Sequence, residues 1–110
     1  MEIRHAALEI VVPLGPVEAI PLGQGRTYVV DGRAIAVFRQ RDGQLFATQN
    51  ACPHRGGPLA DGIIGAGKVI CPLHARKFDL KTGASLQEDC CAVQTYPVRI
   101  EGGEIILTLA

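Results

Sequence analysis

Short runs of β-branched and aromatic residues, separated by glycine and aspartate, alternate along most of the chain. Residues 26–30 and 33–39 form two such runs, and Asp31-Gly32 stands between them. Asp-Gly in this position predicts a two-residue hairpin turn, because both central positions of that turn need a positive φ. Asp42-Gly43 predicts a second turn, which leads into a third run at residues 45–48. The pattern indicates consecutive antiparallel strands.

The C-terminal part repeats this pattern with a clear period of two. Apolar side chains at 98 and 100, and again at 105, 107 and 109, flank a predicted turn at Gly102-Gly103. Such alternation predicts strands with one buried face. Residues 16–20 begin with proline and predict a single helical turn. Residues 51–80 differ, since they are rich in Pro, Gly, Cys and His and carry a strand signal only at 68–70. We therefore expect an all-β frame that supports a specialised loop region.

Length and charge narrow the possibilities further. The chain has 110 residues, of which 47% are hydrophobic, which predicts one folded domain over residues 1–110. Eleven basic and eleven acidic residues balance, which disfavours a general nucleic-acid binder. No apolar run approaches the roughly 18 residues of a membrane span, and residues 1–12 do not resemble a signal peptide. We expect a cytoplasmic protein whose cysteines act as ligands or thiols.

Two short motifs in the loop region carry the chemistry. They are Cys52-Pro53-His54 and Cys71-Pro72-Leu73-His74, so each offers one thiol and one imidazole. Two side chains this close in sequence reach one metal site when the backbone turns sharply, and proline favours such a turn. The four predicted metal ligands are Cys52, His54, Cys71 and His74.

Four ligands of mixed type allow two kinds of metal site. One is a tetrahedral zinc site, which would make the chain a zinc-stabilised β module with a binding role. The other is a Rieske centre, in which two cysteines hold one iron and two histidines hold the other. Zinc-finger spacing usually groups like ligands. Because each pair here is mixed, the pattern favours the Rieske-type [2Fe–2S] cluster.

From Ile35 to Leu109 the chain resembles Rieske-type ferredoxins. The resemblance lies in the segments CPHRGGPLADG, CPLHARKFDLKTG and TYPVRIEGGEIIL. It implies a Rieske-type antiparallel β sandwich with two cluster-binding loops at one tip, and one-electron transfer as the function. The chain shows no nucleophile–base pair and no nucleotide fingerprint, so we expect no catalytic residue. Substrate sites would then lie on a larger partner.

Within this family the chain is most similar to the small subunit of assimilatory NAD(P)H-dependent nitrite reductase. The similarity rests on overall length, on the cytoplasmic character and on the cysteine shortly before TYPVR. It implies a partner that is a large sirohaem and flavin subunit. The alternative is the ferredoxin component of an aromatic-ring dioxygenase system, whose partners are an oxygenase and its reductase. Neither assignment implies binding to nucleic acid or membrane.

Three positions differ from the high-potential Rieske proteins of respiratory complexes. Those proteins carry a disulfide between the two loops, where this chain has Gly57 and Leu73, and a serine where it has Ala75. The departures imply a low-potential ferredoxin.

Two further expectations concern residues beyond the ligands. Cys90 and Cys91 are adjacent, which disfavours a strain-free disulfide between them and predicts packing residues or free thiols. The docking face is expected around the two ligand histidines. Its predicted apolar centre and charged rim are Pro58, Leu59, Pro72 and Leu73, and Arg55, Arg76 and Lys77, respectively.

Overall fold

The computed structural model describes residues 10–53, 56–73, 75–87 and 91–109. Within these residues the chain forms ten strands in three antiparallel sheets, with two short 3-10 helices at Val17–Ala19 and Leu59–Asp61. The strands are β1 Val11–Pro16, β2 Gln24–Val30, β3 Arg33–Arg39, β4 Leu45–Gln49, β5 Ile63–Gly65, β6 Lys68–Ile70, β7 Lys77–Asp79, β8 Thr95–Tyr96, β9 Val98–Glu101 and β10 Glu104–Thr108. The predicted all-β antiparallel fold is confirmed. No helix of the described part has the length and apolarity needed to cross a membrane.

The middle sheet has the strand order β2-β3-β4-β8. Strands β2 and β3 pair from Gln24↔Arg39 to Val30↔Arg33, which leaves Asp31 and Gly32 as the two-residue turn. Their φ values are 52° and 76°, as a hairpin turn of this type requires. The hairpin predicted from Asp-Gly is therefore confirmed, and the predicted run at 45–48 forms β4.

The second sheet has the order β1-β10-β9. Strand β1 contains Pro13 and Pro16, which cannot donate to a ladder, and it lies at the edge of the sheet where this is tolerated. At the other edge, β9 departs from the prediction of a buried face. Ile100 is 44% exposed, because an edge strand has a neighbour on one side only. Strand β10, between them, buries Ile105, Ile106, Leu107 and Thr108.

The third sheet, β5-β6-β7, lies within the loop region, and the sequence predicted only its central strand. Each of its strands has three residues, too few for a periodic signal. The register pairs Ile63 with Ile70 and Ile70 with Lys77. The predicted loop region therefore contains a small sheet of its own.

Two hydrophobic cores pack on opposite faces of the middle sheet. Alternate side chains of β3 enter different cores, with Ile35 and Val37 on one face and Ala36 and Phe38 on the other. The first core joins the middle sheet to the β1-β10-β9 sheet, and its buried members are Val17, Ile20, Val30, Ile35, Val37, Ala47, Tyr96, Ile105, Leu107 and Leu109. The cysteine-containing core has as its buried members Ala36, Phe38, Phe46, Cys52, Leu59, Ala60, Val69, Cys71, Phe78, Leu80 and Val93. The predicted ligand cysteines thus belong to the core beneath the small sheet.

Candidate metal centre

The first loop, residues 52–57, is closed by its own backbone. The Cys52 N–H donates to the Gly57 carbonyl at 2.9 Å, and the Gly56 N–H donates to the Cys52 carbonyl at 2.6 Å. A bridge between Ala51 and Pro58 continues this pairing outside the loop. The hydrogen bonds hold Cys52 at the base of a tight turn.

The second loop, residues 71–76, repeats the same arrangement. The Cys71 N–H donates to the Arg76 carbonyl at 2.7 Å, and the Ala75 N–H donates to the Cys71 carbonyl at 3.1 Å. In both loops, therefore, the cysteine N–H donates to the carbonyl of the fifth residue after it, and the cysteine carbonyl accepts from the N–H of the fourth residue after it. The two loops form a matched pair, each with a Cys-Pro start.

The fourth residue after each cysteine has a left-handed backbone. Gly56 has φ 73° and Ala75 has φ 57°. Glycine adopts this conformation without steric cost, whereas an L-residue such as alanine loses about 1 kcal/mol. Ala75 therefore bears a local strain that the hydrogen bonds of the second loop have to offset. This role of position 75 is not visible in the sequence.

The two loops lie directly against each other at Gly57. A Cβ atom at that position would lie 2.8 Å from Leu73 Cγ and 3.3 Å from Cys71 Sγ. Gly57 is buried for this reason, since Leu73 occupies the space where a side chain would stand. The loops predicted to bind one cluster are thus brought together.

Cys52 and Cys71 fit a shared soft-metal site. Each is only 2% exposed, both belong to the cysteine-containing core, and both are thiols. Thiolate sulfur is the ligand type that holds iron–sulfur clusters. Two such side chains, presented by matched loops and shielded from water, are chemically suited to the cysteine half of a Rieske centre.

Asn50 supports the first loop and was missed by the sequence reading. Its side-chain oxygen accepts from the Ala60 N–H at 3.0 Å, and its backbone carbonyl accepts from the Leu59 N–H at 2.8 Å. These bonds hold the 3-10 helix beside the end of β4. An asparagine two residues before the Cys52-Pro53 pair is a signal that could have suggested this role.

Asp79, at the end of β7, closes the turn that follows the second loop and the small sheet. Its carboxylate accepts from the Lys81 and Thr82 N–H groups at 2.8 and 3.0 Å. Hydrogen bonding from the Thr82 backbone is the main cause that lowers the pKa of this carboxyl, and Lys68 adds a smaller electrostatic contribution. Asp79 is therefore a charged residue whose carboxylate stabilises this turn.

Several other predicted residues can be placed. Leu59 is fully buried, so its prediction as an exposed docking residue is wrong, because the 3-10 helix turns it into the cysteine-containing core. Cys91 is disulfide-bonded, which the prediction of a free thiol did not anticipate. His54 and His74 lie outside the described residues, as do Arg55 and Cys90. The structure thus places the cysteine half of the predicted ligand set.

Comparison with known proteins identifies the family. The model of the Rieske-like [2Fe–2S] domain matches residues 11–108. The ferredoxin component of the naphthalene 1,2-dioxygenase system of Pseudomonas aeruginosa is 34% identical over 96 residues, which cover 83% of this chain and 88% of that protein.

Solved structures of two kinds superpose on the chain. A Mycobacterium tuberculosis protein assigned as an NADH-dependent nitrite reductase small subunit has a TM-score of 0.86 at 26% identity, covering 93% of this chain and 96% of that one. The ferredoxin of carbazole 1,9a-dioxygenase from Nocardioides aromaticivorans IC177 has a TM-score of 0.80 at 31% identity, covering 88% and 95%. One is named as the small subunit of a nitrite reductase and the other as the ferredoxin of a dioxygenase. The chain therefore belongs to the family of Rieske-like [2Fe–2S] domains, and it carries a Rieske-type cluster with which it transfers single electrons.

Proposed function

We propose that Cys52 and Cys71 bind one iron of the cluster and that His54 and His74 bind the other. The matched hydrogen bonds of the two loops support the cysteine pair, because they give both thiols the same position at a loop base. When bound, the cluster accepts and releases one electron at a time. The chain contributes a buried thiol pair, two loops in contact and a water-poor core beneath them.

Ligand substitution tests this assignment. Cys52→Ser and Cys71→Ser should each abolish cluster assembly, because a hydroxyl is a poor substitute for an anchoring thiolate. His54→Ser and His74→Ser should remove the Rieske spectrum. The matched control is the double variant in which Cys90 and Cys91, the two cysteines outside both loops, are both changed to Ser, and it should keep the wild-type spectrum.

The measurement is iron and acid-labile sulfide per chain together with visible and EPR spectra. Wild-type protein purified without air should hold about two irons and two sulfides. A loop cysteine variant that keeps the wild-type spectrum would contradict the assignment, and zinc in place of iron would contradict the cluster itself.

We further propose that the chain is the small subunit of a cytoplasmic, assimilatory NAD(P)H-dependent nitrite reductase. The superposition on the Mycobacterium tuberculosis small subunit supports this, since a TM-score of 0.86 extends over 93% of this chain. In this function the chain carries electrons, and a large sirohaem and flavin subunit holds the nitrite and NAD(P)H sites.

Reconstitution with a candidate large subunit tests the nitrite reductase proposal. NAD(P)H-dependent nitrite reduction should be low with the large subunit alone and should rise when the wild-type chain is added. The Cys71→Ser variant should fail to restore it. Activity that does not respond to the wild-type chain would exclude this function.

The second candidate is the ferredoxin component of an aromatic-ring dioxygenase system. Sequence identity favours it, at 34% to the naphthalene dioxygenase ferredoxin against 26% to the nitrite reductase small subunit. Here the chain would pass electrons from a reductase to an oxygenase. Its test is ring hydroxylation of naphthalene by an oxygenase and reductase pair from such a system, with and without this chain. This alternative would be established if naphthalene hydroxylation requires the chain while the chain does not stimulate nitrite reduction by the large subunit.

A further inference from the structure

The small sheet has an outer face that differs from its inner one. Val69 and Phe78 point inward and are buried, so their neighbours along each strand point outward. The strand register places Ile63, Ile70 and Lys77 side by side across the outer face. This row is the outer row of the small sheet, and it lies at the end of the sheet next to the second loop.

Two grooves meet along this outer row. One, of about 470 Å³, is lined by Asp61, Gly62, Ile63, Ile70, Cys71, Pro72, Leu73 and Ala75. The other, of about 210 Å³, is lined by Ile63, Ile64, Gly65, Lys68, Ile70 and Lys77. Ile63 and Ile70 line both, so the apolar surface is continuous from the second loop to the small sheet.

The exposure of this surface is unusual for apolar residues. Ile63 is 72% exposed and Leu73 is 53% exposed, and both line the larger groove. Two other exposed apolar side chains, Val29 on β2 and Ile100 on β9, stand on separate elements. Exposed apolar residues that stand together indicate a surface that a partner covers.

The charges around the row are mixed, with Asp61 in the lining of the larger groove and Lys68, Lys77 and Asp79 on the small sheet. Lys77 ends the row and Lys68 lies next to it, both exposed. Lys68 acts electrostatically on Asp79, its partner across the strands, so the Lys68 charge is partly compensated. Lys77 therefore supplies the charge of this edge that a partner carboxylate would meet.

We propose that the outer row and its two grooves form the docking surface for the chain's larger redox partner. The proposal rests on the proposed function and specifies its partner surface. The partner presents an apolar side chain to the groove between Ile63 and Leu73, with a carboxylate opposite Lys77. The position follows from the groove itself, because Cys71 is one of its walls and electron transfer needs a partner close to the ligand loops.

Neutral substitutions test the apolar part of this surface. Ile63→Gln is compared with Val29→Gln, whose side chain is equally exposed at 74% but lies outside both grooves. Each variant is titrated into the nitrite reductase large subunit, and in parallel into the dioxygenase oxygenase and reductase pair. The comparison uses whichever partner accepts electrons from the wild-type chain, with the KM for this chain as the readout.

Ile63→Gln should raise that KM by about tenfold, the usual effect of removing a central apolar contact, with kcat at saturation unchanged. Val29→Gln should match the wild type, and both variants should keep wild-type iron content and reduction potential. Equal KM values for Ile63→Gln and Val29→Gln would overturn the proposal. So would a wild-type chain that self-associates through this face, seen as a dimer that Ile63→Gln dissociates.

Charge reversal tests the basic edge. Lys77→Glu should raise the KM more at low than at high ionic strength, because salt screens the lost attraction. Lys81→Glu, in the exposed turn after β7, is the control with the same change of net charge. An equal response of both variants would overturn the assignment of Lys77. If the wild-type chain serves the oxygenase alone, the nitrite reductase function fails while these comparisons still decide the docking surface.

Discussion

At the scale of single residues, Gly57 and Leu73 determine how closely the two cluster loops approach. In high-potential Rieske proteins the corresponding positions are joined by a disulfide, as the sequence resemblance implies. Here a Cβ at 57 would stand 2.8 Å from Leu73 Cγ, so the leucine side chain occupies the space that a side chain at position 57 would need. Packing between the loops therefore takes the place of a covalent link.

A double-mutant cycle tests this contact. Gly57→Ala should cost about 1–3 kcal/mol of stability, because the new methyl group overpacks against Leu73. The same substitution in a Leu73→Ala background should cost less, since the opposing side chain is removed. Leu73→Ala alone should have a small effect, because that side chain is half exposed. The measurement is the midpoint of thermal loss of the cluster absorbance, and strictly additive effects would contradict the contact.

At the scale of elements, Gly62 joins the 3-10 helix Leu59–Asp61 to strand β5, and no space for a side chain exists at this position. A Cβ at Gly62 would lie 2.2 Å from the Ile70 carbonyl oxygen, on the neighbouring strand β6. The φ and ψ of Gly62 are −78° and 173°, which any residue can adopt. Glycine is needed there for close approach alone. Because Ile70 directly precedes Cys71, the close contact between Gly62 and Ile70 links the end of the 3-10 helix Leu59–Asp61 to the base of the second loop.

Alanine substitutions of the glycines at the two ends of β5 separate the steric clash with Ile70 from the general effect of replacing a glycine in or beside a strand. Gly62→Ala should lower the melting temperature by at least about 5 °C and weaken cluster retention, because Ile70 has to move. Gly65→Ala should behave like the wild type, since a Cβ there meets nothing within 4 Å. Thermal melting and iron content after dialysis measure both effects. Equal melting temperatures would show that the β5–β6 approach relaxes without cost.

At the scale of the whole molecule, the middle sheet separates two hydrophobic cores, of which only one contains the ligand cysteines. The first core holds the β1-β10-β9 sheet in place, and Leu107 is fully buried within it. The cysteine-containing core holds Cys52 and Cys71 together with Phe78. We therefore expect that a substitution in the first core lowers stability without changing the environment of the ligand cysteines in the other core.

Substitutions in each core should separate stability from redox properties. Leu107→Ala should cost about 2–5 kcal/mol, because it leaves a cavity in a packed core, with the EPR spectrum and reduction potential unchanged. Phe78→Leu should also lower the melting temperature, and it should shift the potential as well, since the apolar shell of a metal site affects its potential. Thermal melting and redox titration measure the two properties. A potential shift of equal size in both variants would contradict the separation.

The amino-acid sequence by itself determined the features that depend on residues close together in the chain. Asp31-Gly32 predicts its hairpin because the turn is decided by the φ preferences of two adjacent residues. The Cys-x-His and Cys-x-x-His motifs indicate the cluster for a similar reason, since the thiol and imidazole groups that bind metal belong to residues only two or three positions apart. The family comparison confirms the cluster.

Only the tertiary structure decided the features that depend on residues distant in sequence. Strands β5 and β7 exist because β6 offers each of them a pairing edge, and runs of three residues carry no period of their own. Leu59 is buried because the small sheet and the middle sheet enclose it between them, which its position in a Pro- and Gly-rich loop does not indicate. Gly57 and Gly62 likewise depend on Leu73 and Ile70, which close against them only when the chain has folded. Local conformational preference is a property of neighbouring residues, whereas burial and close approach arise only when distant segments compete for the same space.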